Sequence, residues 1–376
     1  MSWITFATLT VALSACLLFG TRSAADDAIG PVMASLENIR IECGVPALGA
    51  AIFTGDGLKE SVFTGTRKRN ELVPVTANDL WHLGSDTKVM TAMLLGTYVA
   101  EGRVHWDDKV IGYFPGLVGQ VTPGIASVTL SQILSHQAGM ADSLKWTYVP
   151  GDSLPAQRQS AAALALKSPA WPPGTYHYSN FDYVIAGAIV EKISGRPWEA
   201  LMRERIFKPL GITSAGFGGL GTPGKIDEPW PHNSDGTPLP QNGPAIDNPP
   251  VLGPAGTVHM TMADWARFLS DQLRGARGEK ALLPHEIYVA IQTPRIAAGP
   301  GMQYGFGWGI VSRPWAGGTA FTHAGSNNMN YCVAWLAPKK DFGVLAVCNQ
   351  GGAAGAKACD EAVGLLIQQN ARLLNR

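Results

Sequence analysis

Strand-forming runs lie at the two ends of this chain and helix-forming runs lie between them. That order restricts the possible folds more than any other feature. Near the start, residues 47–54 and 58–66 are β-rich. Strand character returns only in 304–312, 319–323, 331–336 and 343–348. Helical patterns occupy 129–136, 159–167, 181–194, 197–207 and about 261–274. The stretch 85–101 is apolar nearly all round after Lys88 and stops at Gly102, which reads as a buried central helix with a glycine cap. Residues 28–42 read as a helix. The chain closes on an amphipathic helix with Cys359, Ala362, Val363 and Leu366 on one face. The expected fold is α+β: one antiparallel sheet built from both ends, flanked by the N- and C-terminal helices, with an inserted, mostly helical domain. The sheet domain is drawn over 26–82 and 298–376, and the insert over 83–297. Within the insert, 218–256 is rich in Gly, Pro, Asn and Asp without periodicity, and so long a loop is usually functional or mobile.

The 376 residues suffice for a sizeable core, and 46% apolar with 15% charged residues is a globular balance. Lys+Arg and Asp+Glu stand at 29 each, so no basic excess attracts a nucleic acid. Residues 1–20 carry no side-chain charge and are followed by Arg22 and the small residues Ser23-Ala24-Ala25. This reads as a secretory signal peptide cut after Ala25, giving a periplasmic or secreted protein with no membrane attachment. Lipidation at Cys16 within Leu13-Ser14-Ala15-Cys16 is the alternative, and retention as an anchor ranks third. Cys43, Cys332, Cys348 and Cys359 remain, with three possible pairings or four buried thiols. No CxxC pair exists, and neither metal nor cofactor is expected.

Three short segments carry chemistry. Gly84-Ser85-Asp86-Thr87-Lys88 places a serine at a helix start, where free N–H groups and the helix dipole favour an oxyanion. Lys88 falls on the same face at i,i+3, and burial would suit it to take the serine proton. Alone, the pair reads equally as an N-cap serine and a solvated lysine. In Tyr178-Ser179-Asn180 the phenol can relay a proton if a nearby cation lowers its pKa, and the carboxamide can hold a substrate amide. Alone, this reads as a core aromatic followed by a helix N-cap. In His323-Ala324-Gly325 a glycine on an edge strand would admit a ligand backbone, although a lone histidine there is usually structural.

In this order and spacing the three segments resemble the signature of the serine β-lactamase and penicillin-recognising superfamily, and most closely the class C β-lactamases, D-alanyl-D-alanine carboxypeptidases and related esterases. Leu134-Ser135-His136-Gln137-Ala138-Gly139-Met140, Pro173-Gly174-Thr175, Phe207-Lys208-Pro209-Leu210-Gly211 and Tyr304-Gly305-Phe306-Gly307-Trp308 extend the resemblance over nearly the whole mature chain. The resemblance implies that Ser85 attacks a carbonyl, that Lys88 and Tyr178 share the proton work, and that Asn180 holds the acyl side. It further implies an oxyanion hole from the N–H groups of Ser85 and Ser326, with the strand at 322–327 along one side of the cleft.

One departure bears on substrate. His-Ala-Gly stands where β-lactamases carry Lys-Thr-Gly, so the ammonium and hydroxyl that grip a carboxylate are missing. An esterase or amidase is therefore expected ahead of a carboxypeptidase or β-lactamase. If a carboxylate is bound after all, Arg313 is the basic group to look to. A non-catalytic wall-binding or scaffold protein is the rival from another class, and covalent labelling by a phosphonate separates it. Two patterns fail on context. Gly216-Phe217-Gly218-Gly219-Leu220-Gly221 has no strand before it, and His285-Glu286 lacks the second histidine of H-E-x-x-H because Val289 stands there.

Overall fold

The computed structural model describes residues 24–147 and 149–374. The predicted signal segment and Cys16 lie outside the described residues, apart from Ala24 and Ala25, which begin the first helix. In chain order the elements are α1 (Ala24–Cys43), β1 (Ala47–Thr54), β2 (Gly57–Gly65), β3 (Leu80–His82), α2 (Thr87–Ala100), α3 (Pro123–Ala126), α4 (Leu130–Leu134), α5 (Leu154–Lys167), α6 (Asn180–Ser194) and α7 (Trp198–Met202). They continue with β4 (Gly216–Phe217), α8 (Gly253–Gly256), β5 (Val258–Thr261), α9 (Met262–Ala276), α10 (His285–Gln292), β6 (Ile296–Gly299), β7 (Met302–Tyr304) and β8 (Gly309–Arg313). The last are β9 (Gly318–Ser326), β10 (Tyr331–Ala337), β11 (Phe342–Cys348) and α11 (Gly352–Leu374).

Eight strands form one antiparallel sheet in the order β2-β1-β11-β10-β9-β8-β7-β6. Its centre joins the two ends of the chain, with Leu48 opposite Cys348 and Phe53 opposite Gly343. Strand alternation sends β11 to both faces: Phe342, Val344, Ala346 and Cys348 pack under α1 and α11, whereas Leu345 and Val347 face the helical region. On α11 the predicted face of Cys359, Ala362, Val363 and Leu366 is the buried one. Burial on both sheet faces explains why these strands read as continuous apolar runs.

Three details differ from the expected elements. The run 304–312 is broken, because Gly305–Trp308 closes a tight turn in which Gly305 N–H donates to Trp308 O (2.8 Å). Phe306 and Trp308 are apolar there because they are fully buried, not because they continue a strand. Helix α10 occupies the stretch that held only the failed metal pattern. A small sheet of β3, β5 and β4 was not foreseen, and it leads the chain into the segment containing Ser85. The long segment 218–256 is docked: Trp230 N–H donates to Arg67 O (2.7 Å), and buried His232 lies with Nδ1 2.8 Å from Asn349 O. All four cysteines among the described residues are free thiols. No helix among the described residues is long and apolar enough to cross a membrane.

Candidate active site

Ser85 sits in a single 3-10 turn, Gly84–Asp86, that runs directly into α2. The turn is set by β3 on one side, where Leu83 N–H donates to Val258 O (2.9 Å), and by β9 on the other. A Cβ on Gly84, at φ +45°, would lie 2.3 Å from Ser326 N. A Cβ on Gly325 would lie 1.9 Å from Leu83 O. Gly325 is therefore required by the approach of the serine turn itself. The edge expected there exists only locally, since β9 lies between β8 and β10 but β8 pairs no further along it than Thr322. Residues 323–326 overhang it.

Lys88 is fully buried in the first turn of α2, and its Nζ has three oxygen neighbours. Asn180 Oδ1 lies at 2.7 Å, Ala255 O at 2.8 Å and Ser85 Oγ at 3.1 Å. Burial brings its pKa from 10.5 down to about 7, with Asp182 and Asp86 acting in the opposite sense. Ala255 belongs to α8, which is held on two sides. Thr91 Oγ1 donates to Pro254 O (2.7 Å), and buried Arg158, paired with Glu191 and Glu199, donates to the carbonyls of Pro250 and Val251.

Tyr178 precedes α6, and Lys88 Nζ lies 4.7 Å from its ring centroid. The hydroxyl is hydrogen-bonded to Ser85, but burial outweighs that bond and pushes the phenol above its ordinary range. The expected lowering by a neighbouring cation is absent, and Tyr178 rests as a phenol. The helix N-cap is Ser179, whose Oγ accepts the Phe181 N–H (3.1 Å), so Asn180 is released from capping. Its Oδ1 is taken by Lys88.

His323 is buried on β9 with Nε2 3.1 Å from the Tyr304 hydroxyl. Burial, helped by Lys88, pushes its pKa down to about 3. The next side chain, Ala324, is an exposed methyl. Arg313 lies elsewhere: Val311, two residues earlier on β8, packs on the α1/α11 side of the sheet, and the Arg313 guanidinium rests 5.6 Å from the Trp335 ring centroid. It is no substitute for the missing cation.

Two residues outside the predicted set belong to the same cluster. Buried His136, at φ +59°, lies with Nδ1 2.7 Å from Asp182 Oδ2 and with its ring centroid 4.4 Å from that of Tyr178. Their signal was weak, because an aspartate inside apolar α6 and a histidine 46 residues before it meet only through folding. No group of three or more candidate metal ligands exists among the described residues.

The sequence matches the family described as Beta-lactamase over residues 25–368. A penicillin-binding protein 4 from Amycolatopsis lactamdurans is 28% identical over 343 residues, covering 84% of each chain. Among solved structures, the octameric penicillin-binding protein homologue from Pyrococcus abyssi superposes with a TM-score of 0.72 at 22% identity, over 90% of this chain and 77% of that one. The D-alanine carboxypeptidase AmpC from Burkholderia cenocepacia gives 0.71 at 21% identity, over 90% and 99%. These two likenesses concern the fold.

Proposed function

This chain belongs to the beta-lactamase family of serine hydrolases, and from that premise we propose that it cleaves small esters or uncharged amides through an acyl-enzyme on Ser85. The observation that carries the reading is the coordination of Lys88. A neutral amine has two N–H bonds and one lone pair. Asn180 Oδ1 and Ala255 O can only accept, so they take both N–H bonds, and the lone pair is left facing Ser85 Oγ. A pKa of about 7 makes that neutral form abundant at neutral pH.

On this reading acylation precedes hydrolysis. Ser85 Oγ bonds to the substrate carbonyl carbon while its proton passes to Lys88. The carbonyl electron pair moves to oxygen, which the N–H groups of Ser85 and Ser326 stabilise. Collapse expels the alcohol or amine, protonated by the Tyr178 hydroxyl, which is refilled from Lys88. Water then enters by the reverse route and releases the acid. Asn180 Nδ2 is left to hold the acyl side.

His323 supports the choice of substrate. It is neutral across physiological pH, its Nε2 is engaged by Tyr304, and Ala324 presents only a methyl. Neither offers a carboxylate a charged partner. One such hydrogen bond is worth roughly 1.5–3 kcal/mol, or about 10- to 150-fold in kcat/KM. The test sets p-nitrophenyl esters beside a chromogenic cephalosporin and D-alanyl peptides. Esters should lead by at least about that factor, and Ser85→Ala should abolish both turnover and phosphonate labelling. Changing His323-Ala324 to Lys-Thr should narrow the gap. A cephalosporin or D-alanyl peptide turned over faster than every ester would favour the carboxypeptidase or β-lactamase reading, which the likeness to a penicillin-binding protein supports. Export with cleavage after Ala25 belongs to the same proposal, and the N-terminal mass of periplasmic protein tests it against lipidation at Cys16.

A further inference from the structure

The two N–H groups assigned to the oxyanion come from separate segments, the Gly84–Asp86 turn and the end of β9, and a third segment bridges them. Gly84 N–H donates to His82 Nδ1 (3.1 Å), so the imidazole proton lies on Nε2. That nitrogen is 2.9 Å from Asp247 Oδ1, in the long segment 218–256. The same oxygen accepts from Asn327 Nδ2 at 2.8 Å. Asn327 follows Ser326 directly, and its Oδ1 accepts the N–H groups of Met329 (3.2 Å) and Asn330 (2.9 Å). His82 is buried, the Asp247 side chain is 2% exposed and Asn327 is 4% exposed.

We infer that Asp247 is a positioning residue for the reaction: through His82 and Asn327 it sets the spacing between the N–H groups of Ser85 and Ser326. One carboxylate oxygen accepts from Asn327 on one side of the site and lies in close polar contact with His82 on the other, so displacing it frees both segments at once. Its neighbour Asn248 extends the brace, since Asn248 Nδ2 donates to Gly256 O (2.8 Å), one residue beyond the carbonyl that holds Lys88. The long aperiodic segment thereby becomes the brace of the site. Geometry alone carries this, because a spacing error of a few tenths of an ångström weakens a hydrogen bond that matters most in the transition state.

The inference rests on the acyl-enzyme reading, so the experiment separates the two. Asn327→Asp is the principal variant. It keeps the oxygen that organises residues 329 and 330 and replaces only the donor to Asp247 with a like-charged oxygen. Asp247→Ala removes the bridge outright, and Asp247→Asn keeps an oxygen that can accept from Asn327 and face His82. With a p-nitrophenyl ester, Asn327→Asp and Asp247→Ala should lose roughly ten- to a hundred-fold in kcat, less than the 10²–10³ expected for deleting an oxyanion donor. KM should stay within about two-fold. The inhibition constant of a boronic acid, which mimics the tetrahedral state, should rise by the factor that kcat falls, and Asp247→Asn should recover most of the loss. A folded Asn327→Asp protein with wild-type kcat overturns the inference, as does a kcat loss that boronate affinity does not follow. Ser85→Ala distinguishes the two failures: if it is inert while Asn327→Asp is fully active, only the positioning role falls, and if it still turns over ester, the acyl-enzyme falls with it.

Discussion

Lys88 concentrates the electrostatic cost of the candidate site in one side chain. Bringing a lysine from 10.5 to about 7 corresponds to on the order of 5 kcal/mol withdrawn from folding at neutral pH. The sign is fixed by linkage. The unfolded chain keeps this proton to near pH 10, the folded chain loses it above about 7, and wild-type stability therefore rises across that window. A Lys88→Met variant lacks the term. Its stability relative to wild type should fall by a few kcal/mol between about pH 7 and pH 9.5 in urea titrations, and a constant difference would refute the lowered pKa. The same group predicts that kcat/KM for a neutral ester climbs with pH to a plateau with its midpoint near 7. Asp86, Asp182, His136, His323 and Tyr178 all face this amine, and the first two oppose the lowering. Lys88→Ala and Tyr178→Phe should each reduce kcat by at least about 10²-fold, and the double variant by less than the product. Wild-type rates in either single variant would return the pair to structural roles.

At the scale of elements, the serine turn and β9 are fitted to each other by two glycines. Gly325→Ala must drive a methyl into Leu83 O, which lies 1.9 Å from the position that methyl would take. The nearest relief is to part the turn from the strand. We expect a lower melting temperature and a kcat loss of at least about 10²-fold with the protein still folded, comparable to losing an oxyanion donor. Circular dichroism and the burst amplitude with a p-nitrophenyl ester are the two readouts, and a full burst at wild-type rate would contradict it. Why some elements were readable and others not is physical. Helix α2 was legible because burial on every side made it apolar throughout and Gly102, at φ +68°, ended it. The Gly305–Trp308 turn was not, because its buried Phe306 and Trp308 imitate a strand. Helix α10 has Ile287, Tyr288 and Ile291 at helical spacing, but eight residues are too few to separate helix from loop. Ser85, Lys88, Tyr178 and Asn180 could be singled out because each lies in a short local pattern, and the structure brings them together around the Lys88 amine. That His136 and Asp182 adjoin the cluster, and that His82 and Asp247 meet beside it, was not legible because those neighbours are set by tertiary packing alone.

The molecule as a whole is held by the junction of its ends. Cys348 on β11 and Cys359 on α11 are buried there, Cys332 on β10 is buried on the opposite face of the sheet against Leu83 and Asp86, and burial pushes each thiol upward, Cys348 to about 12. Cys43, at the end of α1, is only partly covered, with Sγ 3.7 Å from Glu361 Oε2. In protein lacking the first 25 residues, a disulfide reagent should modify Cys43 first and the other three only as fast as the sheet opens. Fast labelling of Cys348 and Cys359 with Cys332 still protected would mean that the junction breathes separately from the remainder. The register that pairs Phe53 with Gly343 has a further cost in time, because 290 residues separate the two. At about 5–20 residues per second the ribosome needs roughly 15–60 s to deliver β11 after β1. For that interval the apolar strand β1 has β2 on one side and a bare edge on the other, the arrangement most open to pairing with a foreign strand. The nascent chain thus spends most of its synthesis unable to complete its own centre, and anything that shields residues 47–54 during translation should raise the yield of folded protein.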